Sequence, residues 1–270
     1  MFQREEQGRL TIYKSPLLKE QRELVHGFSS RTGGFSTGVY NSLNLGLASG
    51  DVLANVQKNR TLFAATLGIT PEQVVCGRQV HSTNIAKVGK AEGGRGFLEA
   101  ATALPDTDGL VTNQRGVALM TLNADCVPVL FYDPVQNVIA ACHCGWRGTV
   151  GKIAAKMATL MVADYGCNAA DILAAIGPSI SRAAYEVDTP VLEQFRQAFS
   201  FADQLITPVD DEHGKVDLWE ANRLQLLAVG LQEQHIDVSG LCTVQQEQTF
   251  FSHRAHHGKT GRNGAMLMMV

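Results

Sequence analysis

The segment NADCVPV, residues 123 to 129, places a cysteine beside an aspartate at a polar bend between two apolar runs. A cysteine that serves only packing is expected inside an apolar run, because a free thiol behaves there as a small hydrophobic group. Thiol reactivity matters at exposed, polarised positions. Cys126 is therefore a candidate metal ligand or nucleophile.

Two histidines occupy comparable positions. In VIAACHCGW the side chains of a strand alternate, so His143 points to one face while Cys142 and Cys144 point to the other. His143 comes just before a Gly-flanked turn, and His81 follows the apolar step VVCGRQV. The ends of strands commonly carry binding and catalytic groups.

One cysteine and two histidines are a sufficient ligand set for zinc with the fourth position open, which is typical of catalytic rather than structural sites. Zinc there would bring the pKa of a bound water towards neutrality. The separations, 45 residues from His81 to Cys126 and 17 from Cys126 to His143, match no short zinc motif. Taken singly, each of these residues is more commonly packed or hydrogen-bonded in a core.

A metal-free alternative uses the same side chains. Cys126 and either His143 or His81 would form a Cys–His dyad, with Asp125 or a backbone amide orienting the base, as in a cysteine hydrolase or deamidase. Asp125 equally fits a turn-capping role, because Asp and Asn bond their own backbone at bends. The sequence leaves these roles open.

Basic residues supply candidate anion contacts. Arg147, in CGWRGT, lies where a helix is predicted to begin, and free N–H groups at helix N-termini favour anions. Arg147 is either a residue that binds phosphate or an ordinary structural arginine, and the sequence leaves both roles open. The segment SHRAHHGKTGR, residues 252 to 262, carries phosphate contacts or forms a solvated loop, and we expect the solvated loop for Lys259 and Arg262.

The composition predicts one large folding unit. The chain has 270 residues, 45% of them hydrophobic, which is enough to bury a core without disulfides, and we treat residues 1–270 as a single domain. A net charge of -3 without a Lys/Arg block argues against a nucleic-acid partner. The N-terminal segment does not resemble a secretory signal, because it has charges of both signs and no apolar region. Without a membrane-spanning apolar run or disulfide spacing among the six cysteines, we expect a cytoplasmic protein.

Strand and helix patterns alternate along the chain. We expect a helix over DVLANVQKNRTLFAATLG, and a strand, a turn-like CGRQ step and a second strand over EQVVCGRQVHSTNIAKV. Strands are also expected at GLVT and DILAAI, and a strand, loop and long amphipathic helix over residues 137–166. Further helices are expected over TPVLEQFRQAFS, capped by Thr189 with Pro190 in its first turn, and over DLWEANRLQLLAVGL. The NADC connection within 117–132 is too short for a parallel crossover, which predicts a hairpin with a functional tip in an α+β fold with mixed sheets.

Several motifs occur in order: RTGGFSTGVYNSLNLG, QVH, DGLVT, ADCVPVLFYDP, HCGWRGT, AIGPSI and FFSHR followed by GKTGR. Together they resemble the laccase-domain family, also described as a purine nucleoside phosphorylase family and formerly as multicopper polyphenol oxidases. The resemblance extends from about residue 27 to residue 262. It implies a layered α/β/β/α fold, related to cysteine hydrolases of the toxin-deamidase type.

The resemblance also implies an activity. It implies a Zn2+ site formed by His81, Cys126 and His143, phosphorolysis of adenosine, inosine, guanosine and methylthioadenosine, and hydrolytic deamination of adenosine. The partners are then purine nucleosides and phosphate, and a homodimer is left open. The alternative that we keep is a metal-free cysteine hydrolase or deamidase with a Cys126–His143 dyad.

Further residues are assigned by motif and loop position. We expect zinc and Arg147 to organise phosphate or water, and Asn44, Arg78 and Gln79 to hold the nucleoside. Deamination would need a proton shuttle, for which Asp125 is the candidate, because the H-x-E and P-C-x-x-C signature of nucleobase deaminases is absent.

The chain departs from the family pattern near its C-terminus, and its histidines do not suit the copper centres that the family's former name suggests. Where the family more often has an Arg-Arg-Asp-Gly run, this chain has HRAHHGKTGR, which leaves the role of Arg254 open, and we expect His256 and His257 on the surface. A blue copper centre with a three-copper cluster would need more imidazoles than eight scattered histidines without an H-x-H pair supply.

Overall fold

The computed structural model describes residues 1–270, which form 15 strands and seven helices. The strands are β1 (Gln3–Gln7), β2 (Leu10–Lys14), β3 (Leu24–Ser29), β4 (Val74–Cys76), β5 (Ile85–Lys87), β6 (Gly109–Thr112), β7 (Ala118–Asn123), β8 (Val127–Asp133), β9 (Val138–Cys144), β10 (Leu173–Ile176), β11 (Glu186–Asp188), β12 (Ile206–Pro208), β13 (His213–Val216), β14 (Ile236–Val238) and β15 (Asn263–Met269). The helices are α1 (Pro16–Lys19), α2 (Leu53–Thr66), α3 (Trp146–Val150), α4 (Ile153–Tyr165), α5 (Thr189–Ala198), α6 (Ala202–Leu205) and α7 (Leu218–Ala228).

The strands form two six-stranded sheets and one small sheet. The first sheet has the order β1-β2-β3-β15-β7-β4, the second β14-β10-β8-β9-β6-β5, and the small one β11-β13-β12. Each large sheet is mixed, because β4 runs parallel to β7, β5 to β6 and β10 to β14, while the other pairs are antiparallel. The predicted α+β class with mixed sheets is confirmed.

Three apolar clusters arrange these elements in layers. One lies between the two large sheets and contains Phe28 and Leu119 from the first sheet and Leu130 and Ile139 from the second. Another packs α2 against the outer face of the first sheet. The third packs α4, α5 and α7 against the outer face of the second sheet. Each sheet is thus buried on both faces, and no helix combines the length and apolar composition that a membrane span needs.

The predicted hairpin around NADC is wrong. β7 belongs to the first sheet, between β15 and β4, and β8 to the second, between β10 and β9. The connection therefore crosses from one sheet to the other, with Asp125 in the left-handed region at φ 82°. Both strands are almost wholly buried, so each pairs on both edges within its own sheet instead of with the other.

The other predicted elements differ in detail. α2 ends just before Gly68, whose φ of 72° fits the predicted helix end. The long helix expected after His143 is divided into α3 and α4, because Lys152 adopts φ 63° and interrupts the helical backbone. Thr189 is the first residue of α5, and Asp188 takes the N-cap position expected for Thr189.

A buried arginine connects α2 to two loops. Arg60 is only 2% exposed, and its guanidinium donates to the carbonyl oxygens of Leu45 at 2.6 Å, Gly96 at 2.8 Å and Phe97 at 2.7 Å. No carboxylate pairs with it. Buried carbonyls need such donors, so one side chain fixes both loops.

Replacing Arg60 by methionine should lower the free energy of unfolding by about 3 kcal/mol or more, since three buried carbonyls lose their donor. The measurement is urea denaturation followed by circular dichroism. Arg4→Met makes the same chemical change in an exposed pair with Glu6 and should change stability by about 0.5 kcal/mol or less. Equal effects of the two substitutions would contradict this account.

Candidate functional site

Strand pairing brings Cys126 and His143 together. β8 and β9 are antiparallel, with Val127 opposite Cys144 and Pro128 opposite His143. Cys126 directly precedes β8, so it lies beside the end of β9. Cys142 and Cys144 are fully buried in the core outside this face, which confirms the predicted alternation.

His81 reaches the same point from the loop between β4 and β5. Its backbone has φ 62°, so the loop turns sharply there. The Cys126 Sγ and His81 Nε2 atoms are 3.8 Å apart, and the ring centroids of His81 and His143 are 5.0 Å apart. Ligand atoms of the three residues all lie within 4.8 Å of one another, and they are the one such group of three or more metal donors in the structure. These residues can hold a metal ion.

Asp108, which the sequence reasoning missed, orients both histidines. Its Oδ1 accepts from His143 Nδ1 at 2.9 Å and from the backbone N–H of His81 at 3.1 Å. Its Oδ2 accepts from the N–H groups of Val80 and Ser82 and from the Ser82 hydroxyl. Because Nδ1 of His143 donates to the carboxylate, its Nε2 is left to face Cys126, as in many histidine metal ligands. Asp108 stands in the DGLVT motif, directly before an apolar strand, and that position was its only signal.

The same contacts determine the protonation states of Cys126, His143 and Asp108. Burial raises the pKa of the Cys126 thiol, but the charge and hydrogen bond of His143, together with His81, outweigh it and lower this pKa to about 6. Burial lowers the pKa of His143, yet Cys126 and Asp108 together raise it to about 10. Burial raises the pKa of Asp108, but the hydrogen bonds from His143 and Ser82 outweigh this effect and lower the pKa to about 2. At neutral pH the thiol is thus a thiolate, the form that binds metals.

The three donors open into a cavity of about 640 Å³. This volume lies within the usual range of small-molecule sites. Five arginines contribute to its wall, whereas Asp125 is its one carboxylate. The arginines are Arg60, Arg78, Arg147, Arg254 and Arg262.

The aspartate at the bend is fully engaged. Asp125 is buried, and its carboxylate accepts from the Thr243 hydroxyl at 2.5 Å and from the backbone N–H of Arg254 at 2.7 Å. Its own carbonyl accepts from the N–H of Ile180. Asp125 therefore bonds distant segments, not the neighbouring backbone of its own bend.

The residues expected to hold the nucleoside differ in position. Asn44 is buried outside the cavity wall, and its Oδ1 accepts from the N–H groups of Gly46 and Arg262. Gln79 lines the cavity, but its amide exchanges two hydrogen bonds with the backbone of Leu122. Arg78 lies at the wall, exposed and paired with Asp106 at 2.9 Å. Asn44 and Gln79 therefore support the wall through satisfied amides.

The basic residues also depart from expectation. Arg147 lies on α3, five residues long, where its guanidinium stacks over Trp146. Arg262 is not solvated as expected but lies half-buried in the cavity wall, whereas Lys259 is exposed. His257 is exposed as expected, but His256 is half-buried, within 3.2 Å of an Arg31 nitrogen. The contacts of Arg262 with Asn44 and of His256 with Arg31 join segments far apart in the sequence, so they leave no local pattern.

Comparison with known proteins identifies the relatives. Residues 25–270 match the model of the family described as multi-copper polyphenol oxidoreductase laccase. The chain belongs to this family. It is 40% identical over 251 residues to the purine nucleoside phosphorylase YlmD of Bacillus subtilis, covering 93% of this chain and 90% of that protein. The laccase-domain resemblance is thereby confirmed.

Two further relatives extend the comparison. The crystal structure of YlmD from Geobacillus stearothermophilus superposes with a TM-score of 0.94 at 39% identity, covering 99% of this chain and 98% of the other. A protein named adenosine deaminase RL5, from an unknown prokaryotic organism, is 33% identical over 242 residues, covering 89% of this chain and 92% of its own. These names support a nucleoside-processing enzyme. The expected relation to toxin-deamidase-type hydrolases stays a prediction.

Asp108→Asn should weaken metal binding at these donors, with Zn2+ as the probe, about 10- to 100-fold, because an amide has one acceptor oxygen and the two histidines lose their common anchor. The measurement is competition for Zn2+ with a chromophoric chelator. Asp106→Asn changes an exposed carboxylate two residues away and should leave the zinc affinity within about threefold. An unchanged affinity in Asp108→Asn would show that the histidines need no such anchor.

Proposed function

We propose that this protein is a zinc-dependent purine nucleoside phosphorylase that acts on adenosine, inosine, guanosine and methylthioadenosine and also deaminates adenosine. The observation that carries the proposal is the convergence of His81, Cys126 and His143 at the wall of a cavity large enough for a nucleoside. The phosphorylase and deaminase names of the relatives supply the substrate class.

The donor set fits zinc. One thiolate and two imidazoles, one of them held by a carboxylate, are the ligands and support that catalytic zinc sites use, with a coordination position left open. Zinc bound there would supply a Lewis acid at the cavity wall. The copper chemistry in the family description calls for several centres, whereas the structure gathers one group of three donors.

Phosphorolysis places particular demands on the cavity. A phosphate oxygen bonds to C1′ as the C1′–N9 bond breaks, which yields ribose 1-phosphate and a purine that takes up a proton. The positively charged arginines in the cavity wall attract the negatively charged phosphate. Tyr185 also lines the cavity, its hydroxyl makes no hydrogen bond to the protein, and it keeps its proton because burial raises its pKa. We assign it as a neutral hydrogen-bond donor to the nucleoside.

The residues expected at the nucleoside receive revised roles in this proposal. Asn44 and Gln79 act as positioning residues, since their amides are satisfied by Arg262 and by the backbone of Leu122. Arg78 and Arg147 stay as candidate substrate contacts at the exposed part of the wall. Deamination replaces the C6 amino group by oxygen from water and releases ammonia. Because both oxygens of Asp125 already accept hydrogen bonds, we assign it to positioning Arg254 instead of proton transfer.

The metal-free cysteine hydrolase is not favoured. A thiolate beside a protonated imidazole also suits a Cys126–His143 dyad. His81 is a third donor that a dyad does not require, and the relatives carry phosphorylase and deaminase names. None of the six cysteines forms a disulfide, which supports the cytoplasmic setting that we propose.

Each nucleoside should be incubated with and without phosphate and the products separated by chromatography. The proposal expects hypoxanthine from inosine only with phosphate, and inosine from adenosine without it. Cys126→Ala should reduce both rates at least about a hundredfold, because a metal ligand is lost. Cys167→Ala removes a buried thiol outside the cavity wall and should leave both rates within about twofold. Base release that is independent of phosphate would contradict the proposal.

A further inference from the structure

The charge of the cavity wall is unbalanced. It holds five arginines and one carboxylate, and both oxygens of that carboxylate, on Asp125, already accept hydrogen bonds. Two of the arginines have partners elsewhere, since Arg60 donates to three carbonyls and Arg78 pairs with Asp106. Arg147, Arg254 and Arg262 have no carboxylate partner within ion-pair distance. The cavity therefore favours an anionic ligand.

Arg262 is the most firmly held of these three. Its backbone N–H donates to Asn44 Oδ1 at 2.9 Å, and its carbonyl accepts from the N–H of Leu45 at 3.0 Å. Its Nη1 donates to the carbonyls of Thr260 and Gly261 at 3.1 and 3.0 Å. Nε and Nη2 donate to no protein atom, so the N–H groups of these two nitrogens remain for a ligand.

The neighbouring backbone is shaped around this side chain. A Cβ on Gly46 would lie 2.8 Å from Cγ of Arg262, so the glycine leaves the space that the arginine stem fills. By contrast, the exposed guanidinium of Arg147 makes no hydrogen bond, and that of Arg254 makes one, to the carbonyl of Glu186. Preorganisation of this kind lowers the entropic penalty of binding a ligand.

A ligand bound to Arg262 lies in the same cavity as the three metal donors His81, Cys126 and His143. No carboxylate bonds to the Arg262 guanidinium. Burial lowers the pKa of Arg262, while the charges of Cys126 and Asp125 raise it. A bidentate oxyanion is the ligand that matches two adjacent guanidinium N–H groups.

We propose that Arg262 binds the phosphate co-substrate through Nε and Nη2 and so determines whether phosphate enters the reaction. This inference rests on the proposed function. Deamination of adenosine uses water and not phosphate, so it does not depend on this contact. Arg262 is thus a specificity-determining residue for one of the two reactions, and Asn44 and Gly46 position it.

The test compares Arg262→Gln with Lys259→Gln, which removes one charge from an exposed position in the same loop. Inorganic phosphate is titrated calorimetrically into the zinc-loaded proteins at fixed ionic strength, and the KM values for phosphate and inosine are measured. Arg262→Gln should raise the phosphate Kd and KM about tenfold or more, with the inosine KM, zinc content and deamination within about twofold. Lys259→Gln should match the wild type.

Arg262→Lys keeps the charge without the paired N–H groups and should raise the phosphate KM alone, which covers the case that the glutamine variant fails to fold. Wild-type phosphate affinity in either variant, or a loss in Arg147→Gln instead, would overturn the inference. If the wild type releases no base from inosine, the proposed function fails, and the calorimetric comparison still decides whether Arg262 binds phosphate.

Discussion

The carboxylate of Asp108 is the interaction on which the site depends. It is buried and accepts from His143, from the backbone of Val80, His81 and Ser82, and from the Ser82 hydroxyl. A buried carboxylate is tolerated only when it is this fully hydrogen-bonded. The same five bonds hold a loop in a conformation with a positive φ at His81 and fix which imidazole nitrogen of His143 faces Cys126. The Asp108 carboxylate therefore fixes both the loop that carries His81 and the orientation of the His143 ring.

Local patterns in the sequence predicted the elements and the donors. Strand alternation separated His143 from Cys142 and Cys144, and the polar bend marked Cys126, because both signals depend only on neighbouring residues. The division of β7 and β8 between two sheets was missed, since it depends on which distant strands pair with each. Asp108 was missed for the same reason: its partners lie 26 to 35 residues away along the chain.

The arginines show the limit of reasoning from local sequence most clearly. Arg262 stands in a Gly-containing basic loop that resembles a solvated one, yet its neighbours Asn44 and Leu45 lie more than 200 residues earlier in the chain. Asn44 was expected at the ligand and lies behind the wall, where it holds this arginine. The relatives of this chain include proteins named phosphorylase and one named deaminase. The cavity is consistent with two reactions, because its metal-donor set and its arginine-lined wall are separate features.

The central claim is that the three donors hold one catalytic zinc ion. The most direct test is to remove metal exhaustively with a chelator, restore Zn2+ in steps, and follow bound zinc together with phosphate-dependent release of hypoxanthine from inosine. The account predicts that both rise together and saturate at about one zinc per chain, with neither recovered in Cys126→Ala. Full activity in the metal-free protein would contradict it and favour the Cys126–His143 dyad.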